Sequence, residues 1–403
     1  MKLLKLSLLL TTLLIVASCQ KQFLSYFQKG QVQKLEKAVE IPFTIENGLI
    51  IIPVEIEGDF FRFLLDTGAP NAISKELANK LNIEKSRSFK TEDSQGNRSE
   101  LDYAKIGKIK IGKAIFTNTT AAIADFNQID AIACLNIDGL IGANLMRKAY
   151  WQIDNQVGVV RIAPSRELLK KEPEEYSIPF ITNISGTPLL NLRIGKTEIK
   201  RVTLDTGSVG FLSTGNENYK ALRDGNQLLA ERNAYGASSF GLFGSSKNDT
   251  LRQVLINDFS MGDLTLNQQV IELRNSKASL LGMSFLRNYL VTIDWNSTTL
   301  YLSPQTNFTN LYAESFGISL FKEKEKLVVA MVTEGSSAQR AGIKVGDIVL
   351  QVNDIDVEQT TLDEYCCIIR LVRLKEAETI DLTIERDGKK KEILLTKMPP
   401  LSN

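Results

Sequence analysis

The chain has 403 residues, with 48 lysines and arginines against 47 aspartates and glutamates, so its net charge is +1. This length is sufficient for two or three domains, and the near-neutral charge gives no indication of nucleic acid as a partner. The sequence contains no histidine. Because Ser-His-Asp triads, Cys-His pairs and His-ligated zinc sites all need histidine, a hydrolase built from this chain must use carboxylates, or lysine with serine.

The N-terminus has a short apolar segment behind a basic start. Lys2 and Lys5 precede Leu6–Val16, which is too short to span a bilayer. The next residues, Val16-Ala17-Ser18-Cys19, resemble a bacterial lipobox, which implies cleavage before Cys19 and a lipid on its sulfur. A plain signal peptide followed by an unrelated cysteine is the alternative interpretation.

We therefore expect residues 1–18 to be a lipoprotein signal peptide and residues 19–42 to be a polar, lysine-rich spacer from the membrane. The lipid bilayer would then be a partner through Cys19. Gln20 follows the cysteine and no acidic run comes after it. By resemblance to known sorting patterns, this favours the bacterial cell envelope, with the anchor in the outer membrane and the protein facing the periplasm.

From residue 43 the pattern becomes one of strands. Leu49–Ile56 and Phe60–Leu65 are apolar and flank a Gly-Asp turn, which predicts a hairpin. A short helix is expected over Ser74–Leu81 with Ser74 as its N-cap. The polar stretch Thr91–Glu100 predicts a hairpin tip, and Trp151–Ile162 a closing hairpin. We predict a first, mainly β lobe over residues 43–163.

A second lobe with the same order of elements is predicted over residues 179–304. Residues 164–178 are charged and contain proline, so we expect a linker there. Strands are predicted over Leu189–Ile194 and Lys200–Leu204, and further strands over Leu251–Leu273. Tyr289–Leu302 corresponds to the closing hairpin of the first lobe.

One motif is duplicated between the two lobes. Asp66-Thr67-Gly68 and Asp205-Thr206-Gly207 each follow an apolar run. An apolar-apolar-Gly element ending at Gly142 lies 76 residues after the first aspartate, and one ending at Gly282 lies 77 residues after the second. Twelve residues further on, both copies reach Ile-Asp. Two lobes built alike can place their aspartates across one cleft, where two close carboxylates share a proton and divide acid and base roles.

Residues 43–304 resemble the pepsin and retropepsin class of aspartic proteases. The residues that carry the resemblance are Leu65–Ala69, Leu204–Ser208 and the two apolar-Gly elements. The resemblance implies a bilobal β fold close to two fused retropepsin units, with catalytic Asp66 and Asp205. It also implies that Thr67 and Thr206 brace the two loops against each other. The full set of supporting residues that it implies is Thr67, Gly68, Ala69, Thr206, Gly207, Ser208, Gly142 and Gly282.

Two further expectations follow from the same resemblance. Flaps would cover the cleft, formed by the loops near Gln95-Gly96 and from Tyr235-Gly236 to Gly244, with Tyr235 as the nearest candidate for a substrate-positioning tyrosine. A hydroxyl after Asp-Thr-Gly can hydrogen-bond the neighbouring carboxylate in this family. Since the first lobe has Ala69 there and the second Ser208, Asp205 is expected to be the more readily ionised partner.

Residues 312–397 resemble a bacterial PDZ domain, an α+β module, of the kind attached to periplasmic proteases. The match is strongest from Ser337 to Val349. The resemblance implies that Phe316-Gly317-Ile318 forms the carboxylate-binding loop, where the C-terminus of a peptide would add a strand to the sheet edge.

The cysteines predict neither a zinc site nor a disulfide framework. Cys134 is isolated, whereas Cys366 and Cys367 are adjacent. We expect Cys134, and at least one of the pair, to be a small buried apolar residue.

The function predicted from these patterns is that of a membrane-anchored aspartic endopeptidase. A water held between Asp66 and Asp205 would attack the scissile carbonyl of a polypeptide substrate, without metal, cofactor or covalent intermediate. The PDZ domain would recruit substrates or partners and would not take part in the chemistry. The alternative is a catalytically inactive peptide-binding module that clasps chain termini, and a Ser-Lys hydrolase is a more remote one.

Overall fold

The structure is a computed structural model that describes residues 26–305, 315–374, 378–399 and 401. Its mainly β composition confirms the predicted fold class. The predicted signal peptide and Cys19 lie outside the described residues. Among the helices in the described ranges, none has the length and apolar character needed to cross a membrane.

The first lobe contains a nine-stranded sheet and three short α-helices. Its strands pair in the order β1-β9-β6-β10-β5-β4-β8-β7, with β3 added beside β4. Helix α1 begins as predicted, because the Ser74 hydroxyl accepts a hydrogen bond from the Leu77 amide at 2.9 Å. The elements of this region are β1 (Gln31–Val32), β2 (Val39–Pro42), β3 (Thr44–Glu46), β4 (Leu49–Ile56), β5 (Asp59–Asp66), β6 (Ala72–Ser74), α1 (Lys75–Lys80), β7 (Lys85–Glu92), β8 (Arg98–Ile111), β9 (Ala114–Ala124), α2 (Asp130–Ala133), β10 (Gly139–Gly142), α3 (Ala143–Met146), β11 (Tyr150–Asp154) and β12 (Val159–Ala163).

The predicted spacer over residues 19–42 is wrong for its described part, residues 26–42. Tyr26 and Phe27 are each 3% exposed and pack against the rings of Phe89 and Tyr103. The strands that follow pair with β9 and β12 of the lobe. Burial of the two aromatic rings favours docking of this segment over a free tether.

The second lobe repeats this plan. Its sheet contains the β14–β15 hairpin and the long β20–β21 hairpin, and β17 pairs along β20. Its elements are β13 (Tyr176–Thr182), β14 (Pro188–Ile194), β15 (Thr197–Leu204), β16 (Leu212–Gly215), α4 (Tyr219–Asp224), β17 (Leu228–Gly236), β18 (Phe240–Gly241), β19 (Gly244–Ser245), β20 (Asp249–Met261), β21 (Leu264–Arg274), β22 (Leu280–Leu281), α5 (Met283–Leu286), β23 (Tyr289–Asp294) and β24 (Thr299–Pro304).

A shared sheet joins the two lobes. The closing hairpins β11–β12 and β23–β24 meet through antiparallel pairing of β11 with β23, in which Trp151 faces Ile293 and Ile153 faces Val291. The duplicated Ile-Asp motif lies in these two strands. Strands β2 and β13 extend the sheet at its two sides. The duplication therefore builds a pseudo-symmetric platform that fixes the two lobes against each other.

The C-terminal region has its own hydrophobic core, in which Phe316, Leu327 and Val329 pack with Ile368 of its long helix. Its elements are β25 (Ile318–Glu323), β26 (Lys326–Thr333), α6 (Ser337–Arg340), β27 (Ile348–Val352), β28 (Ile355–Asp356), α7 (Leu362–Leu374), β29 (Thr379–Arg386) and β30 (Lys389–Thr396).

The cysteine prediction is wrong. Cys134, directly after α2, forms a disulfide with Cys366 in α7, across a sequence separation of 232 residues. Cys367 is exposed and free. The pairing depends on the contact between the first lobe and the C-terminal region, so spacing alone did not reveal it.

Candidate active site

The two Asp-Thr-Gly triplets follow equivalent strands. Strand β5 ends at Asp66 and runs parallel to β10, so that Gly142 lies beside Asp66. Strand β15 ends just before Asp205 and runs parallel to β22, so that Leu204 lies beside Leu281. The predicted apolar-Gly elements therefore lie directly against the aspartate strands in both lobes.

Glycine is required where these elements pass the aspartate loops. A Cβ on Gly142 would lie 2.2 Å from the carbonyl carbon of Pro70, and a Cβ on Gly282 would lie 2.5 Å from the Ser208 carbonyl oxygen. Since both neighbours are backbone atoms, any side chain at either glycine would push the loop out of place.

The two threonines of the triplets link the lobes by reciprocal hydrogen bonds. The Thr67 amide donates to Oγ1 of Thr206, and the Thr206 amide donates to Oγ1 of Thr67, both at 3.0 Å. The Thr67 hydroxyl donates to the Leu204 carbonyl at 2.6 Å, and the Thr206 hydroxyl donates to the Leu65 carbonyl at 2.7 Å. Both threonines are fully buried. This network fixes the spacing between the two aspartate loops.

The structure brings the two carboxyl groups together. A Cβ on Gly68 would lie 2.7 Å from Oδ1 of Asp205, and a Cβ on Gly207 would lie 2.7 Å from Cγ of Asp66. Each carboxyl therefore lies against the glycine of the opposite triplet, which brings the two carboxyl groups together. As whole residues, both aspartates are partly exposed.

The electrostatics of the pair are asymmetric. Burial raises the pKa of both carboxyls. The pKa of Asp205 lies well above its usual range, because burial is reinforced by the charge of Asp66. For Asp66 the rise is opposed by the amides of Gly68 and Ala69, which donate to its Oδ1 at 2.9 and 3.1 Å.

This arrangement favours Asp66 as the ionised partner, whereas the presence of Ser208 led to the opposite expectation. Within the described residues, the Ser208 hydroxyl makes no hydrogen bond to either carboxylate. Backbone amides donate to both carboxyls, so the difference between them comes from the charge of Asp66 acting on Asp205.

Two buried asparagines brace the first aspartate loop, and sequence reasoning missed them. The Asn71 amide donates to Oδ1 of Asn144 at 2.7 Å, and the Gly142 amide donates to Oδ1 of Asn71 at 2.7 Å. Both asparagine side chains also donate to the Thr120 carbonyl. The signal that could have identified the two asparagines is their position close to the duplicated motif. The duplication itself did not point to them, because the second lobe has Gly210 and Ser284 at the matching positions.

The predicted flap loops of the two lobes touch each other. Gly96 lies at the tip of the β7–β8 hairpin, in a left-handed conformation with φ +81°. Asp93, a residue that the sequence analysis did not single out, organises this tip by accepting the amides of Gln95 and Asn97 at 3.0 and 2.9 Å. Its other oxygen accepts the Phe243 amide of the second lobe at 3.0 Å.

Tyr235 and Gly236 occupy the end of β17. Tyr235 is 56% exposed. Gly236 has φ +133°, and a Cβ there would lie 2.0 Å from the Ala330 carbonyl oxygen. This glycine allows β17 and β26 to approach closely.

The predicted carboxylate-binding loop begins the first strand of the C-terminal region. Phe316 and Ile318 are buried, at 1% and 7% exposure. Gly317 has φ +75° and lies against Ser336, where a Cβ would be 2.2 Å from the serine Cβ. Any contact of this loop with a peptide carboxylate is therefore through its backbone.

Comparison with known proteins finds family matches in two parts of the chain. Residues 52–145 match the aspartyl protease family, and residues 328–386 match the PDZ domain family. Over 81 residues, 20% of this chain, the sequence is 30% identical to a probable CtpA-like serine protease of Staphylococcus aureus (strain COL). It is 32% identical over 81 residues to the protein of the same name from Staphylococcus haemolyticus (strain JCSC1435).

The match spans 16% of the length of each of these relatives. This chain is therefore similar to about one sixth of each of them. The first match contains Asp66 and ends before Asp205, and the second begins within β26. The chain thus contains an aspartyl protease domain and, after it, a PDZ domain.

Proposed function

We propose that this chain is an aspartic endopeptidase that uses Asp66 and Asp205 together. The observation that supports the proposal is the placement of two carboxyls against each other by duplicated loops, which reciprocal threonine hydrogen bonds hold in register. A module that only bound peptides would need neither the paired carboxyls nor the raised pKa of Asp205.

The asymmetry of the pair supports the following assignment of roles. Ionised Asp66 takes a proton from a water lying between the carboxyls, and the water oxygen attacks the carbonyl carbon of the scissile peptide bond. Protonated Asp205 donates a hydrogen bond to the carbonyl oxygen as negative charge develops there. Collapse of the tetrahedral intermediate then releases the amine, which receives a proton from the pair.

The test is cleavage of an unfolded protein by the full chain and by Asp66→Asn and Asp205→Asn variants. Each change should lower turnover by about 10²-fold or more, because each carboxyl has a separate acid–base role. Asp263→Asn, at an exposed turn, is the matched control and should cleave normally.

A pepstatin-type inhibitor should block the wild type, whereas a serine-directed reagent should not. If either active-site variant kept more than roughly a tenth of wild-type activity, the shared-proton mechanism would be excluded. Cleavage abolished by the serine reagent would favour the chemistry named for the staphylococcal relatives.

We also propose that the protein is lipid-anchored in the cell envelope through Cys19, with the PDZ domain recruiting polypeptides by their C-termini. A disulfide between distant parts of the chain supports an oxidising compartment. A Cys19→Ala variant that stayed in the membrane fraction after a salt wash would contradict the anchor.

A further inference from the structure

The PDZ domain extends the flap hairpin of the second lobe. Strand β26 pairs antiparallel with the end of β17, with Tyr235 opposite Val332. The pairing continues into the loop, where the Ala237 amide donates to the Ala330 carbonyl at 2.8 Å. Gly236 makes this approach possible, as its missing side chain leaves room for the β26 backbone.

Apolar side chains reinforce the same contact. The ring centroid of Phe240, in the short strand β18 that follows β17, lies 4.1 Å from that of Phe321 in β25. Ala237 packs into the same cluster with Val328 and Ala330 of β26. The loop of the second lobe therefore rests on the outer face of the β25–β26 sheet, opposite the PDZ core.

The other side of this loop meets the hairpin tip of the first lobe. Besides the bond from the Phe243 amide to Asp93, the Ser239 hydroxyl donates to Oε1 of Gln95 at 2.7 Å. We call these bonds, between residues 93–97 and residues 237–246, the gate contact. A polypeptide that reaches both aspartates must enter between the lobes, so a contact that joins the lobes limits its entry.

The PDZ domain is also fastened to the first lobe. Cys134 is bonded to Cys366, and Asp130 of α2 forms an ion pair with Lys322 of β25 at 3.6 Å. Ala131 and Cys134 pack against the PDZ core. Helix α2 thus bridges β25 and α7. Residues 237–246 of the second lobe therefore lie between the first lobe and the PDZ domain, which is itself covalently bound to the first lobe.

We propose that the Cys134–Cys366 disulfide is a redox-controlled lock on the gate contact. While the disulfide is intact, the PDZ domain remains bound to the first lobe and holds residues 237–246 against residues 93–97. When the bond is reduced, the PDZ domain and the paired β17 end move together and the gate contact opens. The lock itself does not depend on the proposed function; only its expected effect on peptide cleavage rests on that function.

The redox step is a thiol–disulfide exchange with a dithiol reductant. A reductant thiolate attacks one sulfur of the Cys134–Cys366 bond, and its second thiol resolves the mixed disulfide. The S–S bond of the protein is replaced by two thiols, and the reductant becomes a disulfide, so that two electrons and two protons are transferred. Both cysteines are partly exposed, which gives a small dithiol access.

The test is amide hydrogen exchange of the full chain, oxidised and after treatment with dithiothreitol. We expect the segments 234–246 and 93–97 to exchange about 10-fold faster or more after reduction, because local opening sets their exchange rate. Cys134→Ser should show the fast exchange without reductant. Cys367→Ser, which leaves the disulfide intact, should behave as the wild type.

Two further variants should loosen the gate contact while the disulfide remains intact. Gly236→Ala should speed exchange in 234–246 while the bond stays oxidised, and Phe240→Ala should do so through loss of the ring contact. Equal exchange of the gate segments in oxidised and reduced protein would overturn the proposal. So would faster exchange of β5 and β10 to the same extent, since the disulfide would then stabilise the whole fold.

Cleavage of a short peptide adds a second measurement. Reduction should raise turnover about 5-fold or more, the size of typical coupling between sites. If the Asp66→Asn and Asp205→Asn variants show that the chain does not cleave by this mechanism, the proposed function fails, whereas hydrogen exchange still decides whether the lock exists.

Discussion

At the residue scale, Asp205 is held in an environment that disfavours its charge. Burial and the neighbouring Asp66 both raise its pKa, and the backbone amides of Gly207 and Ser208 oppose this rise only in part. The Gly207 amide donates to Oδ1 of Asp205 at 2.9 Å. Such an arrangement keeps a proton on one carboxyl of the pair while the other is ionised, which is the protonation state that the proposed chemistry requires. It also makes ionisation of Asp205 unfavourable for the folded state.

We predict that Asp205→Asn raises the melting temperature while it lowers turnover by about 10²-fold or more. A carboxyl whose folded pKa is raised binds its proton more tightly in the folded than in the unfolded state. Stability is therefore lost as pH rises above the unfolded value of about 3.9. Asparagine removes this loss and can still accept the Gly207 amide. The gain should be absent below about pH 3.9 and should grow with pH above it, as measured by thermal unfolding in a series of buffers.

The exposed control Asp263→Asn should leave the melting temperature unchanged across the series. An Asp205→Asn protein less stable than the wild type at pH 7 would contradict the argument, because it would show that the ionised carboxyl stabilises the fold.

At the element scale, the sequence predicted the parts of the site that depend on the local pattern. Apolar runs, the glycine after them and the matched spacing predicted which strands carry the aspartates. The bracing by Asn71 and Asn144 was missed, since polar residues at these positions equally fit exposed turns. Their burial results from the passage of β10 beside the loop, a contact made across more than seventy residues.

We predict that Thr67→Val destabilises the fold by several kcal/mol. The change removes the hydroxyl that accepts the Thr206 amide and donates to the Leu204 carbonyl, leaving both groups buried without a partner. Each such group costs about 1–3 kcal/mol. Thr67→Ser keeps the hydroxyl and is the matched control, with a smaller loss from the missing methyl. Denaturant unfolding measures both, and equal stabilities of the two variants would show that the hydroxyl network contributes little.

At the scale of the whole molecule, the placement of the C-terminal domain was not predictable from the sequence. Its resemblance implied a separate recruitment module, whereas the structure pairs β26 with β17 and bonds Cys366 to Cys134. Both contacts form between residues far apart in the chain, and neither leaves a periodic or motif signal. The same holds for Tyr26 and Phe27, whose docking needs the aromatic pocket formed by the β7–β8 hairpin.

We predict that this attachment makes the chain unfold as one unit only while the disulfide is intact. A cross-link that closes a loop of this length stabilises by up to about 5 kcal/mol in the chain-entropy model. The PDZ domain has its own core, so it can melt separately once the link is lost. Calorimetry should show one transition for the oxidised wild type and for Cys367→Ser, and two for Cys134→Ser. A single transition at unchanged temperature in Cys134→Ser would mean that strand pairing between β17 and β26 alone couples the domains.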